Sequence, residues 1–244
     1  MTGDADLAPL PPALLAQAIE ATWPAAARRQ LGPFILREGD GGGQRVQAAT
    51  VAGGFSDAEL DAALAAMPDP LFAVFPGRSP ADDALDRALE ARGFRRHDPV
   101  LAYAAPVAAL AGELPWLTGF PHWPPLEATR AIWAEGGIGP GRVAVMQRAA
   151  GRKAAILARS GDRPSGAAFV ALHDDLAMLH AVEVRPERRR QGAGRHLLRA
   201  AANWAAEQGA QVLALLVTEQ NAAARALYAS AGMAEAGQYH YRRT

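Results

Sequence analysis

The residues best suited by type to do chemistry lie between Met178 and Leu198, in the stretch MLHAVEVRPERRRQGAGRHLL. Arg188, Arg189 and Arg190 run into Gln191, Gly192, Ala193, Gly194 and Arg195. Glycines let backbone N–H groups approach a ligand with no Cβ in the way, and arginines beside them supply positive charge. That combination suits a polyanion, and phosphate is the usual one. A second group stands downstream, Asn221 and Tyr228, followed by Gly232 and Met233.

Those side chains need elements to hold them. Leu179 to Val184 is an apolar, β-branched run that reads as a strand, and Pro186 ends it. After Gly194 the apolar residues Leu197, Leu198, Ala201 and Trp204 fall at helical spacing. Strand, basic glycine turn and helix N-terminus together make an anion-binding device. The free N–H groups and the positive end of the helix dipole converge on one spot. No Lys follows the glycines, so the pattern GxxxxGK[ST] is absent, and only two glycines are present where GxGxxG needs three. Arg189-x-x-Gly192-x-Gly194, preceded by Val184-x-Pro186, resembles the acetyl-CoA signature of the GNAT superfamily of N-acetyltransferases. Asn221 to Tyr228, with Gly232-Met233, resembles that family's next motif, in the right order.

The resemblance covers roughly the last half of the chain and implies an acetyl-CoA-dependent N-acetyltransferase. The implied acceptor is a primary amine, on a small molecule or a peptide. The implied fold is α/β (α+β), a mixed and strongly twisted sheet flanked by helices. It implies that the backbone of Val182, Glu183 and Val184 takes the pantetheine arm. The pyrophosphate would sit on the N–H groups of Arg190, Gln191, Gly192, Ala193, Gly194 and Arg195, with Arg189 and its neighbours adding charge. Asn221 and Tyr228, two turns apart on one helix, would face the same ligand. Tyr228 would protonate the leaving thiolate, a task that suits a phenol of ordinary pKa about 10. The oxyanion would meet a backbone N–H near Val184. Some family members carry a Glu five residues before the motif Asn as general base; here that position is Leu216. The candidate bases are therefore His180, Glu183 and Glu219, or a chain of water. Unbroken alternation puts His180 on the strand face of Val182 and Val184, and Glu183 on the other. Two other readings compete: a CoA-binding sensor or partner protein without catalysis, and a nucleotide-binding βα protein of another kind. Retention of Asn221 and Tyr228 weighs against the first.

Composition narrows the field further. A chain of 244 residues with 50% hydrophobic and 20% charged residues can bury a sizeable core. Net charge is +0, which gives no global pull toward nucleic acid or an anionic membrane. There are 0 cysteines, which excludes disulfides, thiol catalysis and Cys-ligated zinc, and the six histidines show no metal-ligand spacing. The start of the chain, MTGDADLAPLPP, is acidic and does not read as a secretory signal, and no apolar run approaches a membrane span. A cytoplasmic protein is expected, with no metal, and the resemblance admits a homodimer. Lys153 is the one lysine, which reads as the codon bias of a GC-rich bacterial genome.

Along the chain, residues 1–10 read as a loose lead-in and Pro11-Pro12 as a helix start. Pro33–Arg37 and Arg45–Thr50 read as a hairpin across a glycine-rich turn, and Ser56 as a helix N-cap. Pro70–Phe75 is a strand, Ala81–Arg92 a helix stopped by Gly93, and Val100–Tyr103 a strand. Pro106–Glu113 is a short helical linker. The aromatic stretch from Trp116 to Trp123 is expected between the two halves, or lining an acceptor pocket. Leu126–Glu135 reads as a helix, and Val143–Met146, Ala154–Arg159 and Ala167–Leu172 as strands. Val212–Val217 is a strand, Asn221–Ala231 a helix, and a last strand lies near Gln238–Arg242. A faint repeat relates Leu71–Tyr103 to Ala210–Arg242, aligning Gly93 with Gly232, Asp82 with Asn221 and Leu89 with Tyr228. It suggests two tandem units: a degenerate GNAT-like domain over 1–108, which packs and shapes the acceptor cleft, and a catalytic domain over 109–244.

Overall fold

A computed structural model describes residues 8–244 of the chain. Most of the expected lead-in, with its acidic start, therefore lies outside the described residues. At its end the Leu10 N–H donates to the Ala236 carbonyl at 2.8 Å. The first segment contains α1 (Pro12–Thr22), β1 (Ala27–Leu31), β2 (Phe34–Glu38), β3 (Thr50–Val51), α2 (Asp57–Ala65), β4 (Leu71–Val74), α3 (Pro80–Ala91), β5 (Arg95–Pro106) and α4 (Val107–Leu110). The second contains β6 (Gly119–His122), α5 (Glu127–Glu135), α6 (Pro140–Arg148), β7 (Lys153–Ser160), β8 (Arg163–His173), β9 (Leu176–Val184), α7 (Ala193–Glu207), β10 (Val212–Thr218), α8 (Ala222–Ser230) and β11 (Ala234–Arg243).

One mixed sheet carries both segments, in the order β4-β11-β5-β10-β9-β8-β7-β6. The β9–β10 pairing is parallel and the rest are antiparallel. Side chains alternate between its faces as strand geometry requires. Ala154, Ile156, Ala168, Val170, Leu213 and Leu215 pack under α7, with Tyr228 of α8 on the same side. Ala155, Leu157, Ala167, Phe169 and Ala171 pack on the opposite side with Trp133 of α5 and Met146 of α6. On that same side α1 lies over Met178, Ala214 and Tyr239. Among the described residues no helix is long and apolar enough to cross a membrane.

Several elements differ from expectation. Residues 44–46 form a 3-10 turn, so of the expected partner only its end, Thr50 in β3, pairs with β2, while β1 pairs along the other edge. The β1 sequence ARRQL is exposed along its length, so it lacks the apolar alternation that marks a strand. Val143 to Met146 is helical within α6, because Pro140 starts a helix and Val145 and Met146 bury against the α5 side of the sheet. The aromatic stretch does not pack between the halves. It supplies β6 at the sheet edge remote from β4, while Trp116 is 89% exposed.

The two βαβ segments interlock. Strand β5 pairs with both β10 and β11, and β11 with both β5 and β4. In the central pairing Val100 lies opposite Tyr239, 139 positions later, and Arg95–Arg243 matches Ala104–Ala234 under the same offset. This is the register of a local two-fold axis. Gly93 and Gly232, at φ 84° and 90°, end α3 and α8 in the same left-handed turn. The helix starts do not share the offset: Ser79 caps α3 and Asn221 caps α8, so Asp82 is not the counterpart of Asn221.

Candidate functional site

Strands β9 and β10 pair only from Leu176–Val212 to Leu179–Leu215. Beyond Leu179 the β9 backbone has no strand partner on its β10 side, and the sheet splits open. A bulge lies at the mouth of this split: Ala168 is skipped in the β8–β9 register, and Ala181 takes φ 51°. A non-glycine residue there costs roughly 1–2 kcal/mol. The indole N–H of Trp133 holds the turn by donating to the Ala181 carbonyl at 2.9 Å.

The bulge overturns the expected alternation. Val182 and Val184 pack on the α7 side, whereas His180 faces Trp23 and Phe169 on the other. Glu183 now shares the face of His180, where a side chain at Gly136 would meet its carboxylate at 2.5 Å.

The turn after β9 is shaped by two left-handed residues, Arg190 at φ 62° and Gly192 at φ 86°. Gly192 is the N-cap of α7 and offers no side-chain cap. The first helical bond runs from the His196 N–H to the Gly192 carbonyl at 3.0 Å. The N–H groups of Ala193, Gly194 and Arg195 are thus the orphan donors at the positive end of a 15-residue helix. Gly194 is required for a different reason: a Cβ there would come within 2.7 Å of Leu227 on α8.

These parts enclose one cleft of about 710 Å³ between the turn, the open edge of β9 and α8. Of the residues proposed for the cofactor, Val182, Glu183, Val184, Arg189, Arg190, Gly192, Ala193, Gly194, Arg195, Asn221 and Tyr228 line it. Gln191 does not; its amide donates to the Glu187 carbonyl at 3.1 Å. Arg188, of the arginine run expected to add charge, lines it too, and the sequence reading missed Ala224, Leu227 and Ser230, which also line it. The helical spacing from Asn221 through Ala224 to Tyr228 was the available signal.

The arginines divide by role. Arg189 donates to the Val184 carbonyl at 3.0 Å and pairs with Glu183 at 3.3 Å, so it clamps the end of β9. Arg185 makes a two-pronged pair with Glu135 at 2.8 and 2.7 Å. Arg195 reaches Ser230 on α8 at 3.2 Å. Arg188 and Arg190 line the cleft without a salt bridge among the described residues. Like cations at a helix N-terminus are unfavourable alone, and a polyanion resolves that.

Asn221 Oδ1 accepts from the Ala224 N–H at 3.1 Å and starts α8. Tyr228 is buried on the cleft wall, 6.0 Å from the Tyr103 ring. Burial pushes its phenol up to about 12, so it carries its proton at neutral pH.

His180 does not line the cleft. It is 4% exposed and its ring packs 5.0 Å from Trp23. The Thr22 hydroxyl gives its one hydrogen to the Ala18 carbonyl at 2.6 Å, so His180 Nε2 must donate to Thr22, at 2.9 Å. Nδ1 is then a bare, buried acceptor with no protein partner. Burial, with Arg45 adding to it, holds the imidazole well below its ordinary range and therefore neutral. Below pH 6.5 the unfolded chain binds a proton here that the native chain refuses. The stability from this group is complete above that pH and is lost on acidification. Melting temperature should fall from pH 7 to 5, with this group giving at most about 1.4 kcal/mol per pH unit. His180→Phe should flatten that fall; an unaltered profile would place the acid sensitivity elsewhere.

Residues 116–233 match the family model described as the acetyltransferase (GNAT) family. Residues 116–233 are a GNAT-family acetyltransferase domain. Its family uses acetyl-CoA. The fold of the whole chain is similar to a GCN5-related N-acetyltransferase from Kribbella flavida, 20% identical, TM-score 0.72, over 95% of this chain and 94% of that one. A GCN5-related N-acetyltransferase from Sphaerobacter thermophilus is 17% identical, TM-score 0.59, over 97% and 94%. A tandem GNAT protein from the clavulanic acid biosynthesis pathway is 16% identical, TM-score 0.56, over 86% and 77%. No curated protein matches the chain. The GNAT domain alone does not complete the sheet, because β4 and β5 lie outside the matched residues.

Proposed function

We propose that this protein is an acetyl-CoA-dependent N-acetyltransferase acting on a primary amine. The observation that carries this reading is the uncapped start of α7, opening on the same cleft as the unpaired edge of β9 and the Tyr228 phenol. Bound acetyl-CoA supplies a thioester whose acetyl group moves to the amine. The N–H groups of Ala193, Gly194 and Arg195, with Arg188 and Arg190, hold the pyrophosphate. The backbone of Val182 to Val184 holds the pantetheine arm as a neighbouring strand would. Tyr228 holds the proton for the leaving sulfur. Holding thioester and amine together in the split supplies much of the rate. Glu183, which lines the cleft, is the first candidate to take the amine proton, ahead of the enclosed His180.

Residues 1–108 read as a degenerate GNAT-like unit serving the working domain of 109–244. The two-fold register of β5 with β11 and the tandem architecture of a similar structure support this. One observation favours a binding protein without catalysis. Leu216 packs on the α1 side of the sheet, so β10 brings no carboxylate to the split there.

Titration calorimetry with acetyl-CoA, CoA and ATP tests the reading. Micromolar binding of both CoA species with ATP silent is expected, followed by thiol release on adding amines. Binding without thiol release would favour the sensor; no binding would overturn both.

A further inference from the structure

The face of the sheet opposite the CoA cleft carries a second, smaller cavity of about 40 Å³, between α1, the 3-10 turn at Gln44–Val46 and β11. Three guanidinium groups line it, and two are matched. Arg37 pairs with Glu20 through bonds of 3.0 and 2.7 Å and also donates to Thr50 at 3.0 Å. Arg78 pairs with Asp82 at 2.8 Å.

Arg45 is different. Its Nε–H donates to the Tyr239 hydroxyl at 3.1 Å, and among the described residues no carboxylate pairs with it. The Tyr241 hydroxyl stands beside it as well, and among the described residues no carbonyl or carboxylate accepts from the rest of its planar fork. The group is half-buried, in a pocket otherwise walled by Trp23, Phe75 and Tyr241. A cation placed there without a counter-charge is costly. Its backbone is fixed firmly: Gly43 takes φ 91° just before it, and Val46 just after it is 1% exposed.

The pocket therefore has one unmatched positive charge, a planar pair of donors, and room for a group of a few heavy atoms. One excess charge fits a monoanion, and the fork fits a carboxylate. The cavity also neighbours the split in the sheet. Trp23, on its wall, packs at a tilt against His180, the first residue of β9 beyond the β10 pairing. The CoA cleft occupies the α7 side of that split, and the cavity lies on the α1 side, behind Trp23 and His180.

We propose that Arg45, backed by Tyr239, binds the carboxylate of the acceptor, so that the substrate is an amine bearing a carboxylate. This rests on the acetyl-transfer reading for the amine but not for the anion site. The specificity group comes from the N-terminal segment, outside the matched GNAT residues.

Two measurements separate the claims. With 15N-arginine-labelled protein, propionate should shift the Arg45 Nε–H resonance saturably. Arg45→Gln should remove that resonance and weaken propionate binding tenfold or more, while Arg45→Lys should retain part of it. With acetyl-CoA present, glycine, β-alanine and 4-aminobutyrate are compared with methylamine, ethylamine and propylamine by thiol release. At least one carboxylated amine should exceed its plain partner tenfold or more in kcat/KM, and Arg45→Gln should raise its KM with little change in kcat. No propionate shift in the wild type would overturn the proposal, as would turnover of amines with no carboxylate advantage. A propionate shift with no thiol release from any amine would sink the acetyl-transfer reading and leave the anion site standing. Circular dichroism verifies that each variant is folded; if Arg45→Gln is not, Tyr239→Phe serves, with a smaller loss of propionate affinity expected.

Discussion

Gly192→Glu is expected to abolish measurable acetyl-CoA binding, a loss of a hundredfold or more in affinity. Two costs add. Residue 192 sits at φ 86°, where a side chain is strained by roughly 1–2 kcal/mol. The new carboxylate also stands at the N-cap of α7, where the pyrophosphate would need the same N–H groups and the same dipole end. A hundredfold corresponds to about 2.8 kcal/mol, so strain and like-charge repulsion together suffice. Gly192→Ala separates the two and should cost about tenfold, since only strain remains. Calorimetry reads both. Unchanged affinity in Gly192→Glu would remove the phosphate-turn assignment, because no polyanion could then be resting there.

Tyr228→Phe is expected to lower kcat about a hundredfold or more while acetyl-CoA affinity changes by less than threefold, the range for losing a general acid. The substitution deletes one hydroxyl and keeps the ring packed near Tyr103. Its phenol, at about 12, is a weak acid for an ordinary thiolate. The thiolate formed in the same enclosed cleft loses solvation too, so its proton affinity rises alongside. A folded pKa above the ordinary 10 means Tyr228 stays protonated through that pH. The kcat profile should therefore show no fall from this group between pH 9 and 10.5. Full activity in Tyr228→Phe would assign the acid elsewhere.

Much of the lining of the cleft is legible in the sequence, for a physical reason. Gly192 and Gly194 are demanded by backbone shape and close helix contact, and such demands show in the residues themselves. Asn221 and Tyr228 share a helix, so their meeting follows from spacing alone. What escaped was set by long-range packing. Nothing in Ala181 announces a left-handed bulge; Trp133, far along the chain, holds it there, and the parity of His180 and Glu183 flips as a result. The β-branched run in α6 gave a strand signal that burial against the sheet overrode. Arg189 lines the cleft as expected of a residue in the glycine turn, and its contacts with the Val184 carbonyl and Glu183 could not be read from spacing. The isolation of Arg45 is not legible in the sequence because it depends on where Glu20 and Asp82 found partners.

The interlocked strands also constrain how the protein is made. During synthesis β4 and β5 leave the ribosome well before their sheet neighbours β10 and β11. Until residues 212–243 leave the ribosome, β5 has neither flanking strand, and its largely apolar middle, Val100 to Ala105, stays open to the wrong edges. Closure of β5 onto β10 must bridge residues 107–211, which is slow by loop entropy alone. The nascent chain thus carries the centre of its future sheet unmade until those residues emerge.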